Sequence, residues 1–169
     1  MDIFATLKHI ESTDKVEYYS VLFEDAEQSL FEQFLEHCTA DEEIEQEELE
    51  ELVAWLTYLG EHKGAEIKYF RNESFISSTQ ALPPPARFIE GDKINLRLYC
   101  IVLNRHVVIL FGGGLKTTQK AQDCPNVRYA FQIANKLSKA IHQCMVDKEI
   151  EWNEEQIDIF YNEDFELPV

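Results

Sequence analysis

Lys93-Ile94-Asn95-Leu96-Arg97-Leu98-Tyr99-Cys100-Ile101-Val102-Leu103-Asn104-Arg105-His106-Val107-Val108-Ile109-Leu110-Phe111-Gly112-Gly113-Gly114 reads as two strands around a tight turn. Residues 93–103 are rich in Leu, Ile, Val and Tyr, which suit a pleated, packed surface. Asn104-Arg105 makes the turn, and 106–111 is an almost unbroken apolar run. Just upstream, 87–90 followed by Gly91-Asp92 predicts another strand and a hairpin, because Gly supplies the positive φ such turns need. The region therefore opens with a three-stranded meander.

Working outward, 3–10 and 15–23 predict two strands flanking a polar Glu11-Ser12-Thr13-Asp14 turn. Leu30, Phe31, Phe34, Leu35 and Cys38 then form one apolar stripe at helical spacing. Thr39-Ala40-Asp41-Glu42 fits a capping box for a second helix, which carries Leu49, Leu52, Val53, Leu56 and Leu59 and stops at Gly60. The two helices make a hairpin with glutamate-loaded outer faces. Residues 74–85 form a loop ending in Pro83-Pro84-Pro85, which favours extended geometry and cannot join a sheet interior. Beyond the glycines, Pro125 sits where a helix can begin, and Val127, Ala130, Phe131, Ala134, Leu137, Ile141 and Cys144 mark its apolar face. The expectation is an α+β fold with a small antiparallel or mixed sheet, an N-terminal helical hairpin and a C-terminal helix. A single domain spans 1–144, and 145–169 is an acidic, aromatic C-terminal extension that packs on its own domain or on a partner.

At 169 residues, 45% hydrophobic and 12% aromatic, the chain has material for one core despite a net charge of -17. No run of about 18 apolar residues predicts a bilayer span, and the first residues carry no basic-then-apolar secretion pattern. Cys38, Cys100, Cys124 and Cys144 are scattered without a Cys-x-x-Cys pair, as for free buried thiols in a reducing cytoplasm. The five histidines show no zinc-ligand spacing, so neither a metal nor a cofactor is expected.

The charge is unevenly distributed. Residues 1–62 hold 2 basic and 18 acidic side chains, and 140–169 hold 1 and 9. Between them, 93–139 hold 8 basic residues and one acid, Asp123. This asymmetry fits a polyanion site inside a chain that elsewhere repels polyanions, or acidic solvated faces pairing with basic strands. The acidic tail directly after the basic region also suggests a segment that folds back over it.

The triple glycine before Lys116-Thr117 invites a nucleotide-binding reading, but Leu115 and Leu110 stand where a phosphate loop needs glycines, and Thr117 breaks the dinucleotide pattern. What remains is either a backbone cradle for a phosphate beside Lys116 and Lys120, or a bulge at a sheet end. Arg97, Arg105, Lys116 and Lys120 fall together on the meander and the following loop, with Tyr99 and His106 beside them. A metal-free ribonuclease needs such a kit: a base for the 2′-OH, cations for the phosphorane, and an acid for the leaving oxygen. For His106 and Tyr99 the structural alternatives are a strand-start histidine and a core or edge aromatic.

The runs 96–100, 104–111 and 116–120 resemble the RelE/HigB-like toxins of bacteria and phages, whose later strands lead through a lysine-rich segment into a helix. Thr117 stands at a lysine position of that family, and Gly112 near a position where many relatives carry histidine. The resemblance implies a RelE-like fold and a metal-independent mRNA endoribonuclease, acting on free or ribosome-bound mRNA and held inactive by an antitoxin protein. It implies Arg97 on the scissile phosphate, with Lys116 and Lys120 as further catalytic cations and His106 or Tyr99 as acid or base. Lys93, Arg105, Thr117, Thr118 and Arg128 complete the expected RNA-binding set. The other reading is a non-catalytic interaction or regulatory protein whose acidic surfaces bind a basic partner or mimic nucleic acid.

Overall fold

A computed structural model describes residues 4–73, 78–82, 95–116 and 124–169. The N-terminal strands β1 (Phe4–Ser12) and β2 (Glu17–Phe23) form an antiparallel hairpin, Ala5 facing Phe23 and Ser12 facing Glu17. Helices α1 (Leu30–Ala40) and α2 (Gln46–Tyr58) follow, and α2 runs on through a π turn to Lys63 rather than stopping at Gly60. Gly64 closes that turn at φ 79, where a Cβ is disfavoured. Short strands β3 (Arg71–Asn72) and β4 (Gln80–Leu82) lead to β5 (Leu96–Asn104) and β6 (Val107–Leu115). After α3 (Arg128–Val146) come β7 (Ile150–Trp152), β8 (Ile159–Tyr161) and β9 (Leu167–Pro168).

The main sheet has seven strands in the order β3-β4-β5-β6-β2-β1-β9, with β7 and β8 as a separate hairpin. All its pairings are antiparallel except β2 with β6, which run parallel over Glu17–Ser20 and Val107–Leu110. This corrects the expected fold in two respects while keeping it α+β. The sheet is large, and the chain opens with two strands lying inside it, so the helical hairpin is an excursion between strands and not an N-terminal unit. Strand alternation sends side chains to two faces. Tyr18, Val108 and Leu110 pack under α1 and α2, while Tyr19, Val107, Ile109 and Phe111 pack under α3.

Two local expectations are also corrected. Thr39 lies inside α1, where its hydroxyl donates to the Leu35 carbonyl at 2.8 Å, and α2 starts without a side-chain cap. The capping box belongs to α1: the Ser29 hydroxyl accepts from the Glu32 N–H at 3.2 Å, and the Glu32 carboxylate accepts from the Ser29 N–H at 3.1 Å. The glycines belong to β6. Leu98 faces Gly113 but Cys100 faces Leu110, so β6 carries an extra residue there, a bulge. The expected strand at 87–90, the hairpin at 91–92 and the proline run lie outside the described residues.

The last twenty-odd residues are built into the body. Ile150, Ile159, Phe165 and Leu167 are buried in the α3-side core, and β9 pairs with Phe4 and Ala5 of β1. The Tyr19 hydroxyl donates to Asp158 at 2.5 Å, and the Asn104 amide donates to the Gln156 carbonyl at 2.7 Å. The acidic segment thus meets the sheet at the Asn104 end of β5 and at the β1 edge.

Candidate functional site

Ten residues were expected to touch RNA, and of these Lys93, Thr117, Thr118 and Lys120 lie outside the described residues. Three of the rest, Arg97, Tyr99 and Lys116, meet at one end of the sheet. Arg71, Ala81 and Tyr99 are consecutive cross-strand neighbours on β3, β4 and β5, and Arg97 sits two residues from Tyr99 on the same face. Opposite Arg97 on β6 stands Gly114, where a Cβ would meet the Asn126 carbonyl oxygen at 3.0 Å and the Val127 side chain at 3.5 Å. Lys116 pairs with Glu73 at 3.5 Å, both side chains nearly covered at 13% and 10% exposure. Asn95 at this end donates its N–H to Glu48 of α2 at 2.8 Å.

Burial, then the neighbouring Arg71, pulls the Arg97 guanidinium below its usual range, while Glu73 opposes the shift. The Tyr99 phenol is fully buried and packs on Phe131 at 5.6 Å between ring centroids, its hydroxyl without a hydrogen-bond partner among the described residues. Burial pushes its pKa well above the ordinary value, with Glu73 adding to the shift. A phenol held in this way stays protonated at neutral pH and is a poor base. Burial likewise raises two thiols, Cys38 to about 12 and Cys144 to about 11, which keeps both protonated at neutral pH.

Arg105 and His106 stand at the other end of the same strands. A nine-residue strand separates them from Arg97 by about 25 Å. There Arg105 faces Glu66 at 3.5 Å, and a His106 ring nitrogen, Nδ1, lies 3.0 Å from the Lys15 carbonyl. Arg128, exposed at the start of α3, is at the Arg97 end, where Asn126 abuts Gly114. The two alternatives expected for acid or base are therefore divided: Tyr99 sits with the cations, and His106 does not.

The sequence reading missed Arg71 and Glu73, because a two-residue strand has no alternation to read. It also missed a pair of grooves at the opposite edge of the molecule. The Phe165 N–H donates to the Asn162 carbonyl at 3.0 Å, and the buried Phe165 ring packs on Tyr161. This turn presents Glu163, Asp164 and Glu166 to solvent beside β9. On one side lies a groove of about 330 Å³, floored by Phe4, Ala5, Leu22, Phe23 and Ala26 and edged by Glu24 and the turn. On the other lies a groove of about 580 Å³ between the turn and the β7–β8 hairpin, with Phe160, Pro168, Lys148, Glu149 and Glu151 on its walls. Phe4, Asp164, Phe165 and Glu166 line both.

Among the described residues no group of three or more His, Cys, Asp or Glu side chains could hold a metal ion. No described helix is long and apolar enough to cross a membrane. No family model, curated protein or solved structure matches this chain.

Proposed function

We propose that this chain is a non-catalytic interaction protein that binds a basic protein partner through its acidic surface. The observation that supports this reading is the difference in how its charges are used. Lys116 faces Glu73 and Arg105 faces Glu66, whereas Glu149, Glu151, Glu163, Asp164 and Glu166 make no ion pair among the described residues. Residues 24–51 add 13 acids and no Lys or Arg. Free carboxylates on a body of net charge -17 repel RNA phosphates and attract cationic proteins.

The test mixes the full chain with polylysine and, separately, with a single-stranded RNA of about twenty nucleotides at about 50 mM salt. Polylysine is expected to bind and to release as salt rises, with no RNA complex at any salt. A second reading, the endoribonuclease, rests on Arg97, Tyr99 and Lys116 sharing one end of the sheet. New RNA 5′ ends from the wild-type chain, absent with Arg97→Ala/Lys116→Ala, would replace the first reading with this one.

A further inference from the structure

We infer that the paired grooves flanking the 162–166 turn are the docking surface for that partner, and that the occupant is a segment alternating Arg or Lys with large apolar side chains. The inference rests on the basic-partner reading and names its site. Apolar side chains line both grooves among the polar ones: Phe4 and Phe165 belong to each, and Leu22 and Phe23 extend the smaller. At the mouth of the other, Phe160 is 53% exposed on the outward face of the β7–β8 hairpin, directly opposite Glu151. A large ring held on a strand and left half in water is a surface that a partner's apolar side chain can cover.

The rims decide the occupant by charge. Carboxylates of Glu24, Glu149, Glu151, Glu163, Asp164 and Glu166 border the grooves against one cation, Lys148. Among the described residues they do not converge on a point where a metal ion could sit. Separated negative charges around apolar floors suit several separated cations on one polypeptide, each long side chain laying its methylenes on the floor and its head at the rim. The turn is also preorganised, because Phe165 is buried beneath it and β9 fastens it to β1, so docking orders little of this chain.

A fluorescent peptide of about ten residues alternating Arg and Leu, titrated with the full chain at about 50 mM salt, reads the surface by anisotropy. Glu163→Gln/Asp164→Asn/Glu166→Gln is expected to weaken binding by about 30-fold or more, and Phe160→Ser by about tenfold. Removing the same number of charges from α2, by Glu47→Gln/Glu50→Gln/Glu51→Gln, is expected to cost less than about threefold. All these side chains are exposed, so melting curves close to wild type confirm that each variant is folded. Equal weakening by the two triple variants would overturn the grooves as the site and leave the basic-partner reading standing. A wild-type chain that binds neither this peptide nor polylysine at low salt overturns both.

Discussion

At the start of β5 and the end of β6, Arg97 and Lys116 are packed among strands, with Glu73 bridging to Lys116 at 3.5 Å and Arg71 alongside. Along residues 149–166, five carboxylates that line the grooves stand in solvent and form no ion pair among the described residues. The first region resembled a site in the sequence because its charges are cationic and close together. In the fold Glu73 faces Lys116, and breaking that pair leaves charge stranded where water is scarce. The second region read in the sequence as an acidic extension packed on its own domain or on a partner. In the fold its backbone is anchored to the body, while these carboxylates face no cation among the described residues. What separates structural charge from available charge is whether a counter-charge already faces it.

The comparison breaks most severely at Gly113. A Cβ at this position would stand 1.8 Å from the Arg97 carbonyl oxygen and 2.8 Å from its carbon, both backbone atoms that cannot swing aside. Gly113→Ala is expected to cost about 4 kcal/mol or more, enough to unfold a marginally stable domain. Urea unfolding of the variant checks this, and a midpoint near wild type would mean the two strands are less tightly apposed than the geometry implies.

Next in size is the contrast between two glutamates. Glu73→Gln leaves the Lys116 ammonium, 13% exposed, without its counter-charge, and is expected to cost about 3 kcal/mol. Glu163→Gln removes an exposed charge that forms no ion pair among the described residues and is expected to shift stability by less than about 0.5 kcal/mol in either direction. Denaturant midpoints of both variants measure the difference. Equal effects would erase the distinction between the two regions.

The long elements were legible in the sequence because their periodicity outlasts their ends. β1, β2, β5 and β6 carry seven to nine residues each, and α1 and α3 show clean apolar stripes. The parallel pairing of β2 with β6 was not legible, since it joins segments about ninety residues apart and leaves no local mark. Nor were β7, β8 and β9, whose two or three residues cannot display a period of two. Arg97 and Lys116 were found as neighbours because a short strand pairing brings them together. Arg105 and His106 were grouped with them by sequence distance, and the length of β5 carries them away. The α1 capping box shows the same limit: Ser29-Leu30-Phe31-Glu32 carries the pattern as plainly as Thr39-Ala40-Asp41-Glu42, and only the helix start decides between them.

The smallest predicted effect sharpens the comparison within the acidic surface itself. Glu32, unlike the groove carboxylates, is engaged: the Lys8 ammonium donates to it at 2.7 Å, and Ser29 completes the capping box. Its bond to Lys8, then those to Ser29, hold the Glu32 carboxyl down to about 2 from an ordinary 4.5. Because the folded value is depressed, the charged form stabilises the fold fully above pH 4.5, and that contribution disappears as pH falls toward about 2. Water reaches both partners, at 40% and 34% exposure, so the contribution is small. Glu32→Gln keeps a side chain able to close the capping box and removes only the charge. The variant is expected to melt slightly below wild type at neutral pH, with the gap closing between pH 4.5 and about 2. A gap that persists unchanged at pH 2 would assign the effect to packing rather than charge.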